Sequence, residues 1–241
     1  MSENIPIMQF FPIFPIIYRI LQPTFPDCLW EGNKSSRNIA LTFDDGPHPQ
    51  YTPRLLEVLE SHKIPASFFL LGACVERSPH ITKKIHALGH WIGLHGYNHH
   101  NFPLLSETEL QQSLEKTQTV ISSACGLRSQ QIRDVRPPNG FFTPKTLKLL
   151  QKWNYRPVMW SVVPEDWVRP GVQTVTQRVL KLVKQGSMIV LHDGFCGGED
   201  VAEIANILIP QLLARGYNFV TIDTLWQDKL TQTSDRNIYQ D

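Results

Sequence analysis

Residues 38–47 read Asn38-Ile39-Ala40-Leu41-Thr42-Phe43-Asp44-Asp45-Gly46-Pro47. The short, largely apolar run from Ile39 to Phe43 has the length and composition of a buried strand, and Gly46-Pro47 stops it with a turn. Asp44, Asp45, Gly46 and Pro47 are all turn-prone, so a plain polar turn would satisfy the local preferences. Such a turn has no need for two consecutive carboxylates directly after a buried strand. The stretch therefore reads as a core strand whose carboxyl end carries chemistry.

The pattern recurs on either side. Ala66–Leu71, Trp91–Leu94, Ile132–Val135, Pro157–Val162, Met188–Leu191 and Phe219–Ile222 predict six further strands. Helical stretches with visible punctuation lie between them. Thr52-Pro53 opens Arg54–His62, with a cap followed by proline at the first helical position. Ser106 with Glu109 predicts a capping box, and that helix ends near Cys125 and Gly126. Pro144 starts Lys145–Trp153, Gln173–Gln185 stops at Gly186, and Val201–Arg215 stops at Gly216. Pro210, inside the last pattern, should kink or divide that helix. Seven strands alternating with helices predict an α/β fold with a parallel sheet, closed into a barrel or doubly wound.

A chain of 241 residues fits one sizeable domain. Lys and Arg number 23 against 22 Asp and Glu, with no basic run, so a nucleic-acid partner has no electrostatic support. Cys28, Cys74, Cys125 and Cys196 form no C-x-x-C pair, which argues against a zinc knuckle or a redox dithiol. Ile5 to Leu21 is apolar but interrupted by Pro6, Pro12 and Pro15, with Glu3 where an export signal would be basic. It is too broken for a transmembrane helix and reads as an arm across the barrel, or as a peripheral membrane contact. The expected organisation is an arm over residues 1–37, a domain over 38–229 and a flexible tail over 230–241. The compartment stays open between cytoplasm and cell envelope.

The unusual polar residues share one address, each following a strand. Asp44-Asp45 follow the first, His95 to His99 the third, and Arg136-Pro137-Pro138 the fourth. Asp166-Trp167 come after the fifth and His192-Asp193 after the sixth. In a barrel those ends converge on one face, where active sites are built. His95 and His99, four residues apart, would lie about 40° apart on one face of a helix and could grip a single ion, while His100 would point away. With Asp45 they make a His-His-carboxylate set with open positions, the form of a catalytic zinc site. Asp44 is then free to act as general base, and His192, its ring held by Asp166, is placed to be the general acid.

These pieces resemble the NodB-homology polysaccharide deacetylases, carbohydrate esterase family 4, from about Asn38 to Ile222. Thr42-Phe43-Asp44-Asp45-Gly46-Pro47 matches that family's first motif residue for residue. His95-Gly96-Tyr97-Asn98-His99 is similar to the second, Arg136-Pro137-Pro138-Asn139 to the third, Asp166-Trp167 to the end of the fourth, and Val190-Leu191-His192 to the fifth. The resemblance implies a distorted (β/α) barrel of about seven parallel strands and a divalent metal: zinc first, with cobalt, nickel or iron(II) as alternatives. It also implies metal ligands Asp45, His95 and His99, base Asp44 oriented by Arg136, and acid His192 paired with Asp166. The Asn139 backbone N–H would contact the oxyanion, with Trp167 and Leu191 walling an acetyl pocket. The implied activity is removal of N-acetyl groups from an amino-sugar glycan, chitin-like or peptidoglycan, with acetate released.

Four positions depart from the family pattern. Gly96 stands for Ser or Thr, Asn139 for an aromatic residue, Val163 for an aspartate and Val190 for a leucine. They bear on substrate choice more than on catalysis. Three other readings use some of the same features: an O-acetyl xylan esterase, a non-catalytic carbohydrate-binding relative, and a non-haem iron oxygenase. The last has no use for the extra Asp44 and His192.

Overall fold

In the computed structural model, which describes residue 11 and residues 13–229, every strand pairing is parallel. The strands are β1 (Asn38–Asp44), β2 (Ser67–Leu70), β3 (Trp91–Leu94), β4 (Asp134–Val135), β5 (Arg156–Pro157), β6 (Met188–His192) and β7 (Asn218–Phe219). Their order is β5-β4-β3-β2-β1-β6, with β7 beside the start of β1. Beyond β5, Val162 bridges Ile189 of β6, so the two ends of that order meet and the sheet curls into a distorted barrel. The expected tail, residues 230–241, lies outside the described residues, as do residues 1–10 and 12 of the expected arm.

Four strands are shorter than their apolar runs, β2 by only one residue at each end and the other three by more. Pro157–Val162 is buried throughout or nearly so, but its backbone bonds go to several neighbours: Val158 N–H to Val135, Met159 N–H to Leu29 and Val162 N–H to Met188. Ile132–Val135 is reduced to its last two residues. Phe219–Ile222 is cut short because residues 222–229 turn helical. Residues 28–32 take part in the barrel, through the Leu29–Val158 bridge and the Gly32 N–H bond to Gly186.

The helices are α1 (Phe14–Thr24), α2 (Tyr51–Ser61), α3 (Gly72–Arg77), α4 (Pro79–Ala87), α5 (Glu107–Cys125), α6 (Pro144–Lys152), α7 (Val172–Leu182) and α8 (Gly198–Ala214). The capping box of α5 forms as expected: the Ser106 hydroxyl accepts from Glu109 N–H, and the Glu109 carboxylate accepts from Ser106 N–H at 2.8 Å. Thr52 does not cap α2, because its hydroxyl is committed elsewhere; Gln50 holds the cap position with no side-chain bond. α8 runs unbroken through Pro210, so the expected division does not occur. α3 and α4, each under three turns, were not expected.

Alternation along the strands sorts the core. Leu41, Phe43, Phe68 and Leu70 pack outward under the helices. Ala40, Phe69 and Met188 face the barrel interior, where Ile222, Leu225 and Trp226 plug one end. That plug closes the amino-terminal end of the strands: Ile222 N–H donates to Ser67, and the Trp226 and Trp91 indoles both donate to the buried Asp134. The carboxyl-terminal end is left for the site.

Candidate active site

Parallel pairing puts Asp44 directly opposite His192, since β1 and β6 register Thr42 against Val190 and Asp44 against His192. Both side chains point inward at the open end, with Thr42 and Val190 one layer below them. Arg136, just beyond β4, is 1% exposed and fills the layer between. Its guanidinium donates to the Asp44 carboxylate at 2.6 Å, to the Thr42 hydroxyl at 2.8 Å and to the Met159 carbonyl at 2.8 Å, and it lies over the Phe69 ring. A buried guanidinium held through both terminal nitrogens fixes the Asp44 oxygen it bonds and leaves the other free to turn toward the site.

On the other side, Asp166 takes two bonds from His192: the backbone N–H at 2.7 Å and ring Nδ1 at 2.9 Å. The pair fixes the imidazole and leaves Nε2 facing the site. Burial alone would lower the His192 pKa, but the charge and hydrogen bond of Asp166, helped by the Asp45 and Asp44 carboxylates, together outweigh it and push the ring up to about 10. The ring is therefore a proton carrier at neutral pH. Trp167 meets it edge-on, with ring centroids 5.1 Å apart.

Asp45, His95 and His99 come together between these two pairs. Their donor atoms lie within 4.8 Å of one another, the one such group of three among the described residues. Asp45 Oδ1 stands 3.3 Å from His95 Nε2 and 3.2 Å from His99 Nε2. Burial pushes the Asp45 carboxyl up, yet its interaction with His95, and then the charges on His192 and His99, outweigh burial and hold it well below the usual carboxylate range. Burial also keeps His99 below the ordinary histidine value, only partly offset by Asp45. His95 Nδ1 lies 2.7 Å from the Arg136 carbonyl, which fixes that nitrogen as the donor and leaves Nε2 with a lone pair for an ion.

The two histidines are not on a helix, contrary to the spacing argument. His95 follows directly on β3, and His99 sits in the loop with φ 59° after Gly96 at φ 80°. That loop is tied down from α3, whose Gly72 and Ala73 N–H groups bond the Gly96 and Tyr97 carbonyls. The left-handed backbone explains glycine at 96, where a Cβ would also press on Phe102 at 3.2 Å. A hydroxyl for the loop comes instead from Ser113 of α5, accepting from Tyr97 N–H at 2.9 Å. His100 is exposed, as expected.

Asn139 also takes a left-handed turn (φ 57°), and its amide donates to Asn101 at 2.7 Å. Trp167 is half-buried, whereas Leu191 is fully buried and registers with the outward-facing Phe43, so it packs under the helices and does not wall an acetyl pocket as expected. Val163 and Val190 belong to the apolar core. Sequence reasoning gave Asp193 no role of its own and read Thr52 only as a helix cap. Asp193 is fully buried, accepts from the Thr52 hydroxyl at 2.5 Å, and backs directly onto Gly46. Burial, reinforced by Asp45 and Asp44 and eased by Thr52, pushes its carboxyl up to about 7. The readable signal was Thr52 itself, a hydroxyl on the buried side of α2.

Residues 31–158 match the family model described as polysaccharide deacetylase. A peptidoglycan-N-acetylglucosamine deacetylase of Bacillus cereus is 36% identical over 209 residues, 83% of this chain and 93% of the relative. A chitooligosaccharide deacetylase of a Bradyrhizobium species is 34% identical over 193 residues, covering 76% and 87%. Among solved structures, a peptidoglycan N-acetylglucosamine deacetylase bound to an N-hydroxybenzamide superposes with a TM-score of 0.80 at 33% identity, covering 83% of this chain and 93% of that one. Together with the barrel and the motifs at its open end, these likenesses establish that the chain belongs to the polysaccharide deacetylases of the NodB-homology type, carbohydrate esterase family 4.

Proposed function

We propose that this polysaccharide deacetylase is metal-dependent and removes N-acetyl groups from an N-acetylglucosamine glycan, chitin-like or peptidoglycan. The observation that carries the metal is Asp45 Oδ1, a buried oxygen with no hydrogen-bond partner among the described residues, aimed between two imidazole nitrogens. A buried acceptor left in that state is costly, and a divalent cation held by Asp45, His95 and His99 satisfies it. Zinc suits two imidazoles and one carboxylate. When bound, it would polarise the acyl oxygen and acidify a nearby water.

The remaining roles fall to the chain's own residues. Asp44, held by Arg136, takes the proton of the attacking water as the new C–O bond forms. The Asn139 N–H stabilises the oxyanion, Trp167 walls the acetyl group, and protonated His192 gives its Nε2 proton to the departing nitrogen as the C–N bond breaks. The products are acetate and the free amine. The substrate class rests on relatives that act on N-acetylglucosamine glycans. A peripheral lipid contact by the arm is supported by Ile13, Ile16 and Ile20, exposed along one side of α1; among the described residues no helix is long and apolar enough to cross a membrane.

The test compares acetate release from an N-acetylglucosamine oligomer and from acetylated xylan, for wild type and His192→Ala. An amide leaving group needs protonation more than an alkoxide does. The variant should therefore lose about 10²–10⁴-fold on the oligomer and far less on any ester. Wild-type activity on xylan alone would make the chain an esterase.

A further inference from the structure

The loop that carries Asp166 and Trp167 is strained at both ends. Glu165 (φ 59°) and Arg169 (φ 52°) both occupy the left-handed region, and neither is glycine. Such a segment keeps its shape only where its surroundings impose it. Part of that support comes from the amino-terminal arm. Phe14, the first residue of α1, is wedged between Trp167 and Trp160, edge-on to both at 5.8 and 5.9 Å with interplanar angles of 88°. Trp30 meets the same Trp160 edge-on at 5.7 Å. Three residues earlier in sequence, the Phe11 ring lies 4.6 Å from the Arg178 guanidinium, which in turn bonds the Pro164 carbonyl and the buried Glu165 carboxylate. The arm thus bears on the strained loop from two directions, and Trp167 passes that contact to His192.

We infer that the amino-terminal arm is a working part of the deacetylase: Phe14, seconded by Phe11, is a positioning residue that sets Trp167 against the acid His192. The inference rests on the reading of His192 as general acid, but the contact itself does not. Removing the Phe14 ring frees Trp167 to swing into the space it leaves, and the acid then loses the wall that directs its proton. A small misplacement of a catalytic group can cost far more rate than binding.

The test uses the whole 241-residue chain supplied with zinc, as wild type, Phe14→Ala, Phe14→Tyr and Leu21→Ala. Leu21 packs on the same core about 10 Å further along α1, so its loss loosens the helix away from Trp167. Two readouts are taken: kcat and KM on an N-acetylglucosamine oligomer, and the His192 ring resonances by NMR, which feel the Trp167 ring current whether or not the enzyme turns over. Phe14→Ala should lower kcat about tenfold with KM within about twofold, and should move the His192 resonances. Phe14→Tyr should restore both, and Leu21→Ala should move neither, even where it lowers Tm. Unchanged resonances in Phe14→Ala, or equal changes in Leu21→Ala, would overturn the inference. Resonances that move in Phe14→Ala while wild type releases no acetate would support the buttress and sink the substrate reading instead.

Discussion

At the scale of single residues, the base, the acid and one metal ligand are each held by a definite partner. Asp44 depends on Arg136, His192 on Asp166, and His95 on the Arg136 carbonyl. Arg136 therefore serves base and ligand at once, which its side chain alone would not reveal. Asp45→Ala or His99→Ala should abolish tight zinc binding, whereas His100→Ala, on an exposed ring, should leave it near wild type. Elemental analysis of the purified variants decides this, and full metal content in either ligand variant would refute the assignment. Thr52 gives a second prediction. Its hydroxyl partners one oxygen of Asp193, whose other oxygen has no hydrogen-bond partner among the described residues. Thr52→Val should cost about 1–3 kcal/mol in urea unfolding, the penalty for leaving a buried polar group unsatisfied.

At the scale of elements, the loops after the strands pack against one another as closely as core. Gly194, after β6, approaches the Asp45 loop so nearly that a Cβ would sit 2.4 Å from Asp45 Cβ and 2.8 Å from the Asp45 carbonyl oxygen. Gly194→Ala must push the metal loop aside, because backbone cannot yield as a flexible side chain does. It should cost about 1–3 kcal/mol in stability and weaken zinc affinity, both measurable on the same preparation. This interlocking marks the limit of what could be read in advance. Strand ends were legible because Asp44, His95, Arg136 and His192 each end an apolar run. The path between His95 and His99 was not, since the spacing of four also fits a helix and only the left-handed Gly96 and His99 exclude one. β5 was overdrawn for a related reason: an apolar run reports burial, and Pro157–Val162 is buried while its bonds go to three different partners. Ser113 left a fainter trace, a hydroxyl beside Leu110, Leu114 and Thr117 on the inner face of α5.

At the scale of the molecule, a barrel plugged at one end and open at the other gathers residues from 44 to 192 into one site. Its stability should carry the mark of one histidine remote from that site. His90 is 5% exposed, its Nδ1 accepts from Ala66 N–H, and burial lowers its pKa to about 4. The folded ring stays neutral where the unfolded one, near 6.5, takes a proton. Between about 6.5 and 4 the unfolded state binds more protons, and stability falls as the pH falls. Urea unfolding at pH 7 and pH 4.5 should show a loss of about 2 kcal/mol from this group, absent in His90→Gln. The central claim, a metal-dependent deacetylase with Asp44 as base, is met most directly by one comparison. Wild type and Asp44→Asn are stripped with a chelator, reloaded with zinc, assayed for bound metal, and given an N-acetylglucosamine oligomer. The account predicts that stripping silences wild type and zinc restores it, while Asp44→Asn binds as much zinc yet releases acetate about 10²-fold more slowly or worse. A zinc-loaded Asp44→Asn as fast as wild type, or a stripped wild type still active, would contradict it.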